Sequence, residues 1–164
     1  MNKGTLTFFC GKMGAGKSTK ARQIAQEGNA VLLSEDEWLA ALYPNKISSL
    51  SDYIECSNLL KPQIKKLVQS MLSTGTNVVM DFPANTFSQR GWFRNIFSEI
   101  DAPHSLVYID LPNEVCLKQI EKRRKEQPER ATTDTADMFE QVTKYFMAPT
   151  PEEGFNIIKV EPNA

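Results

Sequence analysis

Short apolar runs alternate with longer amphipathic stretches along the whole chain. Residues 5–10, 30–34, 76–81, 105–110 and 155–160 are brief, rich in β-branched or aromatic side chains and flanked by turn residues, which predicts five buried strands. The stretches between them suit helices. Residues 18–26 predict one that stops at Gly28-Asn29, and residues 38–43 a short one ended by Pro44. Across 59–74, Leu60, Ile64, Leu67, Val68, Met71 and Leu72 form a helical stripe with Gly75 as its stop and Pro62 near its first turn. The preceding residues, 48–57, read as polar turn signals around helix-compatible pieces. Helices are also predicted over 87–100, from Pro112 through Val115, Cys116, Ile120 and Arg124, and over 135–146.

Strand and helix alternating in this way predict an α/β fold with a parallel sheet covered on both faces. With 164 residues, 41% of them hydrophobic, the expectation is one domain spanning 1–164. The formal charge of −1 gives no global attraction to nucleic acid or to an anionic membrane. No apolar run approaches membrane-spanning length, and residues 1–4 lead straight into a strand without a charged-then-apolar leader, so a cytoplasmic location is expected. Cys10, Cys56 and Cys116 are odd in number, far apart and set among apolar neighbours, which reads as reduced, packed thiols. The lone His104 reads as structural.

Chemistry enters directly behind the first predicted strand. Gly11-Lys12-Met13-Gly14-Ala15-Gly16-Lys17-Ser18 has the spacing G-x-x-x-x-G-K-[ST] of a phosphate-binding loop. Glycines let the backbone wrap tightly around a triphosphate. Lys17 supplies a point charge for the β- and γ-phosphates, Ser18 a hydroxyl for Mg²⁺, and the following helix turns its positive end toward the anion.

Phosphoryl transfer requires further positioning and charge-neutralising groups. Asp36, after the second strand, is the first choice for the carboxylate that orients or deprotonates an acceptor hydroxyl, with Glu35 and Glu37 as competitors. Asp81 closes the third strand as a metal-side acid, with substrate contact or a plain turn cap as alternatives. Arg123, Arg124 and Arg130 lie in a charged stretch that reads either as a lid over the transferred phosphate or as a solvated helix end. Arg90 and Arg94, four apart, share a helix face and would meet substrate or water.

Taken with the loop, the segments Leu33-Ser34-Glu35-Asp36, Val79-Met80-Asp81-Phe82, residues 108–117 and residues 138–155 resemble the AAA-type ATP-binding proteins classed as predicted P-loop kinases. That family is similar in plan to polynucleotide 5′-hydroxyl kinases, zeta toxins, chloramphenicol phosphotransferases and gluconate kinases. The resemblance implies the P-loop nucleoside triphosphate hydrolase fold, with five parallel strands in the order 2-3-1-4-5, and it implies ATP with Mg²⁺ as cofactors. It further implies nucleotide contacts from Gly11 through Ser18 and Thr19, metal contacts from Ser18 and Asp81, an acceptor-side acid falling on Asp36, and a lid around 122–136 carrying Arg123, Arg124 and Arg130. Lys17, Asp36 and Arg124 would then carry catalysis. The chain departs from several relatives in having Leu39 where an Asp-x-x-Arg pattern would place arginine. A substrate-anchoring arginine is therefore sought in Arg90 or Arg94, unless the acceptor has no anion, and Asp36 and Asp81 are the other expected substrate contacts. The expected activity is transfer of the γ-phosphoryl of ATP to a hydroxyl of a small molecule, by a monomer or homodimer. A polynucleotide 5′-hydroxyl, motivated by residues 122–130, and a nucleotide switch without a small acceptor are the alternatives.

Overall fold

Leu6–Cys10 (β1), Val31–Ser34 (β2), Val78–Pro83 (β3), His104–Ile109 (β4) and Ile157–Val160 (β5) form one sheet in the order β2-β3-β1-β4-β5, with every neighbouring pair parallel. The computed structural model describes residues 2–130 and 134–160. The helices are Lys17–Glu27 (α1), Glu35–Leu42 (α2), Leu50–Ser73 (α3), Phe87–Ser98 (α4), Asn113–Glu126 (α5) and Ala136–Thr143 (α6). Among the described residues, no helix is long and apolar enough to cross a membrane.

Period-two alternation along the strands divides the core between two faces. Leu6, Phe8 and Cys10 of β1 join Val78 and Met80 beneath Leu60, Ile64, Val68 and Leu72 of α3 and Phe93, Ile96 and Phe97 of α4. Phe8 stacks on Phe93 with ring centroids 4.5 Å apart. On the opposite face, Phe9, Val79, Val107 and Ile109 pack against Ala21 and Ala25 of α1, Cys116 and Ile120 of α5, and Phe139 of α6. Each fully buried large apolar side chain contributes roughly 1.5–3 kcal/mol, so these two layers hold the sheet in place. Helices thus cover both faces, as the alternation of elements predicts.

The longest departure from sequence expectation is α3. Residues 48–57 are largely helical, and Pro62 lies well inside a 24-residue helix instead of in its first turn. The true start is capped by Ser49, whose hydroxyl accepts from the Asp52 amide at 3.1 Å, while Asp52 accepts in turn from Ser48. Pro62 is tolerated because it and Asn58, whose carbonyl loses its helical donor, both face solvent. Helix α2 begins at Glu35, directly behind β2, with three acids at its positive end. Helix α6 ends at Thr143, short of the expected Phe146. Beyond it the chain tightens into turns, and the Met147 amide is drawn to the Asn85 carbonyl at 2.8 Å. Strand β5 starts at Ile157, two residues later than the apolar run.

Candidate functional site

The loop between β1 and α1 has the geometry that its glycines permit. Gly14 and Gly16 lie in the left-handed region at φ 80° and 93°. Gly14 also passes so close to α5 that a Cβ would stand 2.6 Å from the Cys116 carbonyl oxygen and from Ile120 Cγ1. Gly16 caps α1 without a side-chain bond, and no acid occupies the first turn, so the positive helix end opens into the loop. Lys17 folds back over the loop, its ammonium donating to the carbonyls of Gly11 and Lys12. Burial lowers its pKa, while Asp81 favours the charged form. Lys12 rests over the Phe146 ring at 5.6 Å. Met13 packs against the second core cluster, Ala15 is buried and Thr19 is exposed.

Asp81 meets this loop through a break in the sheet. The β1–β3 register runs Phe8↔Met80 and then Phe9↔Pro83, leaving Asp81 and Phe82 without β1 partners. Asp81 still pairs with Ser34 of β2. The Ser18 hydroxyl donates to Asp81 Oδ2 at 2.6 Å, joining the start of α1 to the end of β3. These are hard oxygen donors at a helix N-terminus, the set that Mg²⁺ uses when phosphates and water complete its shell. Among the described residues no group of three or more His, Cys, Asp or Glu is placed to hold a metal ion.

The three acids opening α2 diverge. Glu35 is buried and accepts from the Tyr53 hydroxyl and, at 2.8 Å, from the Ser57 hydroxyl. Burial raises its pKa, opposed by those two bonds. Asp36 is on the solvent side, 3.9 Å from Arg130 and within electrostatic reach of Asp81. Desolvation by the surrounding protein raises its pKa, Arg130 opposes the rise, and 67% of the side chain stays accessible to water. Glu37 is exposed and makes no hydrogen bond or ion pair among the described residues.

Of the expected lid cations, Arg123 and Arg130 converge on buried Asp134. Arg123 donates to both carboxylate oxygens at 2.7 and 3.0 Å, and Arg130 Nε donates at 2.7 Å. Arg123 also acts electrostatically on both Lys17 and Asp36, so this corner faces the loop. Arg124, one residue on, is exposed at the end of α5, makes no ion pair among the described residues and takes no part in the Arg123–Asp134–Arg130 cluster. Part of the lid span expected over 122–136, residues 131–133, lies outside the described residues.

Arg90 and Arg94 require a correction. Arg90 is completely buried, with Nε 2.9 Å from Glu153 Oε1 and Nη1 donating to the Ala84 carbonyl at 2.9 Å. Arg94 donates to the Glu153 carbonyl oxygen and stacks over Phe155 at 4.3 Å. Both arginines fasten the segment before β5 to α4, which encloses Arg90 away from any substrate and gives Arg94, still partly exposed, a structural partner. Their helical spacing correctly gave a shared face, but the partner on that face lies some sixty residues away and leaves no local signal.

Several site residues escape a reading by motif. Asn85 accepts the Gly11 amide at 2.9 Å and so holds the first residue of the loop. Its own amide donates to Gln89. Asn85 stood in a recognisable turn, residues 82–86, which was the available clue. Asp134, Tyr53 and Ser57 offered none, because their roles depend on partners from other elements.

Comparison with known proteins agrees with this geometry. A family model described as AAA domain matches residues 6–149. No curated protein matches the sequence. Among solved structures, Kti12 of Chaetomium thermophilum in complex with ADP-AlF3 superposes with a TM-score of 0.67 at 16% identity, covering 95% of this chain and 88% of that one. The APS kinase CysC of Mycobacterium tuberculosis, in complex with AMPPNP and APS, gives 0.64 at 17%, covering 100% and 91%. A sugar kinase from Janibacter sp. HTCC2649 gives 0.62 at 16%, covering 97% and 85%. At such identities the likeness is one of fold, and that fold is the one P-loop kinases use.

Proposed function

The chain belongs to the AAA domain family, and from that premise we propose that it is an ATP-dependent phosphotransferase acting on a hydroxyl of a small molecule. The observation that carries this reading is the Ser18–Asp81 contact next to Lys17 in the chain, with Asp36 directly behind the neighbouring strand β2 and Arg130 3.9 Å from it. A donor half and an acceptor half thereby share one rim of the sheet, where ligands bind in open α/β folds.

In this reading the residues from Gly11 to Thr19 cradle the phosphates of ATP, and Lys17 leaves the loop carbonyls for the β- and γ-phosphates. Ser18 and Asp81 would hold Mg²⁺, which supplies neutralisation of phosphate charge when bound. Asp36 accepts the proton of the acceptor hydroxyl as its oxygen attacks the γ-phosphorus, and ADP leaves with the electron pair of the broken bond. Arg123 and Arg130 are the cations best placed to follow the transferring group, with Arg124 the outermost. Because Asp134 neutralises part of the basic stretch at 122–130, a long polyanion gains less there than the sequence suggests, and a small acceptor is favoured over a polynucleotide.

The test is incubation of the protein with γ-labelled ATP, Mg²⁺ and a metabolite extract, with Lys17→Ala as control. A labelled small molecule that depends on Lys17 is expected. Hydrolysis to labelled phosphate alone would overturn the reading.

A further inference from the structure

With Arg90 and Arg94 engaged by the segment before β5, Lys61 is a cation of the acceptor side, among the described residues, that has no task assigned above. Lys61 lies on α3 one helical turn beyond Ser57, which is itself one turn beyond Tyr53, so the three form a stripe at i, i+4 and i+8. The first two of these bond Glu35. Lys61 is half-buried and sits over the Trp92 ring at 5.4 Å, while Trp92 leans on Phe82 of β3 at 5.8 Å. The stripe therefore runs from the residue next to Asp36 to the C-terminal end of β3.

Among the described residues Lys61 makes no hydrogen bond or ion pair. Glu35 acts on it electrostatically, but both oxygens of that carboxyl are already engaged by Tyr53 and Ser57. Burial disfavours its charge and Glu35 favours it, with the Trp92 ring face beside the ammonium. A lysine used only for packing would run its ammonium out to water. This one instead holds a half-desolvated charge beside an aromatic wall. An ammonium on a flexible stem accepts carboxylate or phosphate alike, since it demands no forked geometry.

We propose that Lys61, backed by Trp92 and the Glu35–Tyr53–Ser57 cluster, holds an anionic group of the acceptor, so that the substrate is a hydroxyl compound carrying a carboxylate or a phosphate. This rests on the phosphotransferase reading and narrows it. The hydroxyl lies toward Asp36, and the anion lies along α3 against Lys61.

The test follows the Trp92 indole N–H by ¹⁵N NMR in the full chain with AMPPNP and Mg²⁺, the resonance being assigned with Trp92→Phe. The probes are D-glycerate, glycerol 3-phosphate and, as the neutral control, glycerol. At least one anion is expected to shift the resonance saturably where glycerol does not, and the arm that responds distinguishes carboxylate from phosphate. Lys61→Met should weaken that binding about 10- to 100-fold, the loss expected for a hydrogen bond to a charged group, with AMPPNP affinity unchanged. Lys61→Arg should retain most of it. Equal responses to all three probes, or unaltered binding in Lys61→Met, would overturn the proposal. The γ-labelling experiment separates the two levels: a neutral labelled acceptor removes the role of Lys61 and leaves phosphotransfer standing. Absence of any labelled product removes phosphotransfer, and the Trp92 titration still decides whether Lys61 is an anion site.

Discussion

Arg90 Nε lies 2.9 Å from Glu153 Oε1, and no part of the arginine side chain reaches solvent. The pair bonds α4 to the 3₁₀ turn Pro151–Glu153, and Glu153 Oε2 also accepts the Thr150 amide in a capping box. Removing one member of such a buried pair strands the other, which typically costs about 3–5 kcal/mol. Glu153→Gln and Arg90→Met should each lower stability by that order in urea unfolding. The double variant should cost less than their sum, and additive losses would deny the coupling.

Asp36→Asn keeps shape and removes the carboxylate proposed to accept the hydroxyl proton. Transfer to the acceptor should fall by about 10²- to 10⁴-fold, the ordinary range for a general base, while ATP affinity stays within a few-fold. Steady-state kinetics and nucleotide titration separate the two quantities. Turnover near the wild-type rate would return the role to Glu37, since Glu35 is consumed by Tyr53 and Ser57.

Glu35 should write its burial into the pH dependence of stability. Its folded pKa is raised above the ordinary 4.5, because burial outweighs the bonds from Tyr53 and Ser57. The folded state therefore binds this proton more tightly than the unfolded chain. The contribution is fully present below the unfolded pKa and is lost as pH rises from about 4.5 through the folded value. Glu35→Gln, which cannot ionise, should flatten the decline of unfolding free energy across that window. An unchanged slope in denaturant titrations at stepped pH would show that burial does not raise the Glu35 pKa.

The three thiols should be inert in the native protein. Cys10, Cys56 and Cys116 are buried, and burial pushes the Cys10 thiol up to about 11. Reaction requires thiolate and access, so a chromogenic disulfide reagent at pH 8 should label none of them until denaturant is added. Rapid labelling of one thiol without denaturant would locate a region that opens readily.

What the sequence disclosed and what it withheld divide along one physical line. The strands, the loop from Gly11 to Ser18 and the sheet order are written in local patterns or in a resemblance that spans the chain, and all appear in the fold. The early start of α3 was obscured by Pro62, because a proline near a boundary and a proline facing water inside a helix look alike without burial information. The same blindness applied to Arg90: an arginine four residues from another reads as a charged face, yet its partner Glu153 comes from the far end of the chain. Asp81 was legible as a strand-end acid, whereas the bulge that turns it toward Ser18 exists only in the pairing of β1 with β3.

The two left-handed glycines of the loop should separate folding from binding. Gly16 has no atom within 4 Å of the place a Cβ would occupy, so Gly16→Ala meets only the backbone cost of its φ of 93°, about 1–2 kcal/mol. Gly14→Ala meets the same kind of cost and also drives a methyl to within 2.6 Å of the Cys116 carbonyl, a backbone atom of α5 that cannot swing aside. Helix α5 carries Cys116 and Ile120 into the core, so that displacement spreads into packing. Gly16→Ala should therefore fold, with a modestly lower unfolding midpoint, and still lose much of its nucleotide affinity, because the added methyl narrows the mouth that phosphates must enter. Gly14→Ala should lose several kcal/mol or fail to fold. Thermal unfolding with and without AMPPNP distinguishes the cases: Gly16→Ala should show a cooperative transition that nucleotide hardly raises. A Gly14→Ala protein as stable as wild type would mean that α5 yields at Cys116 more easily than its packing implies.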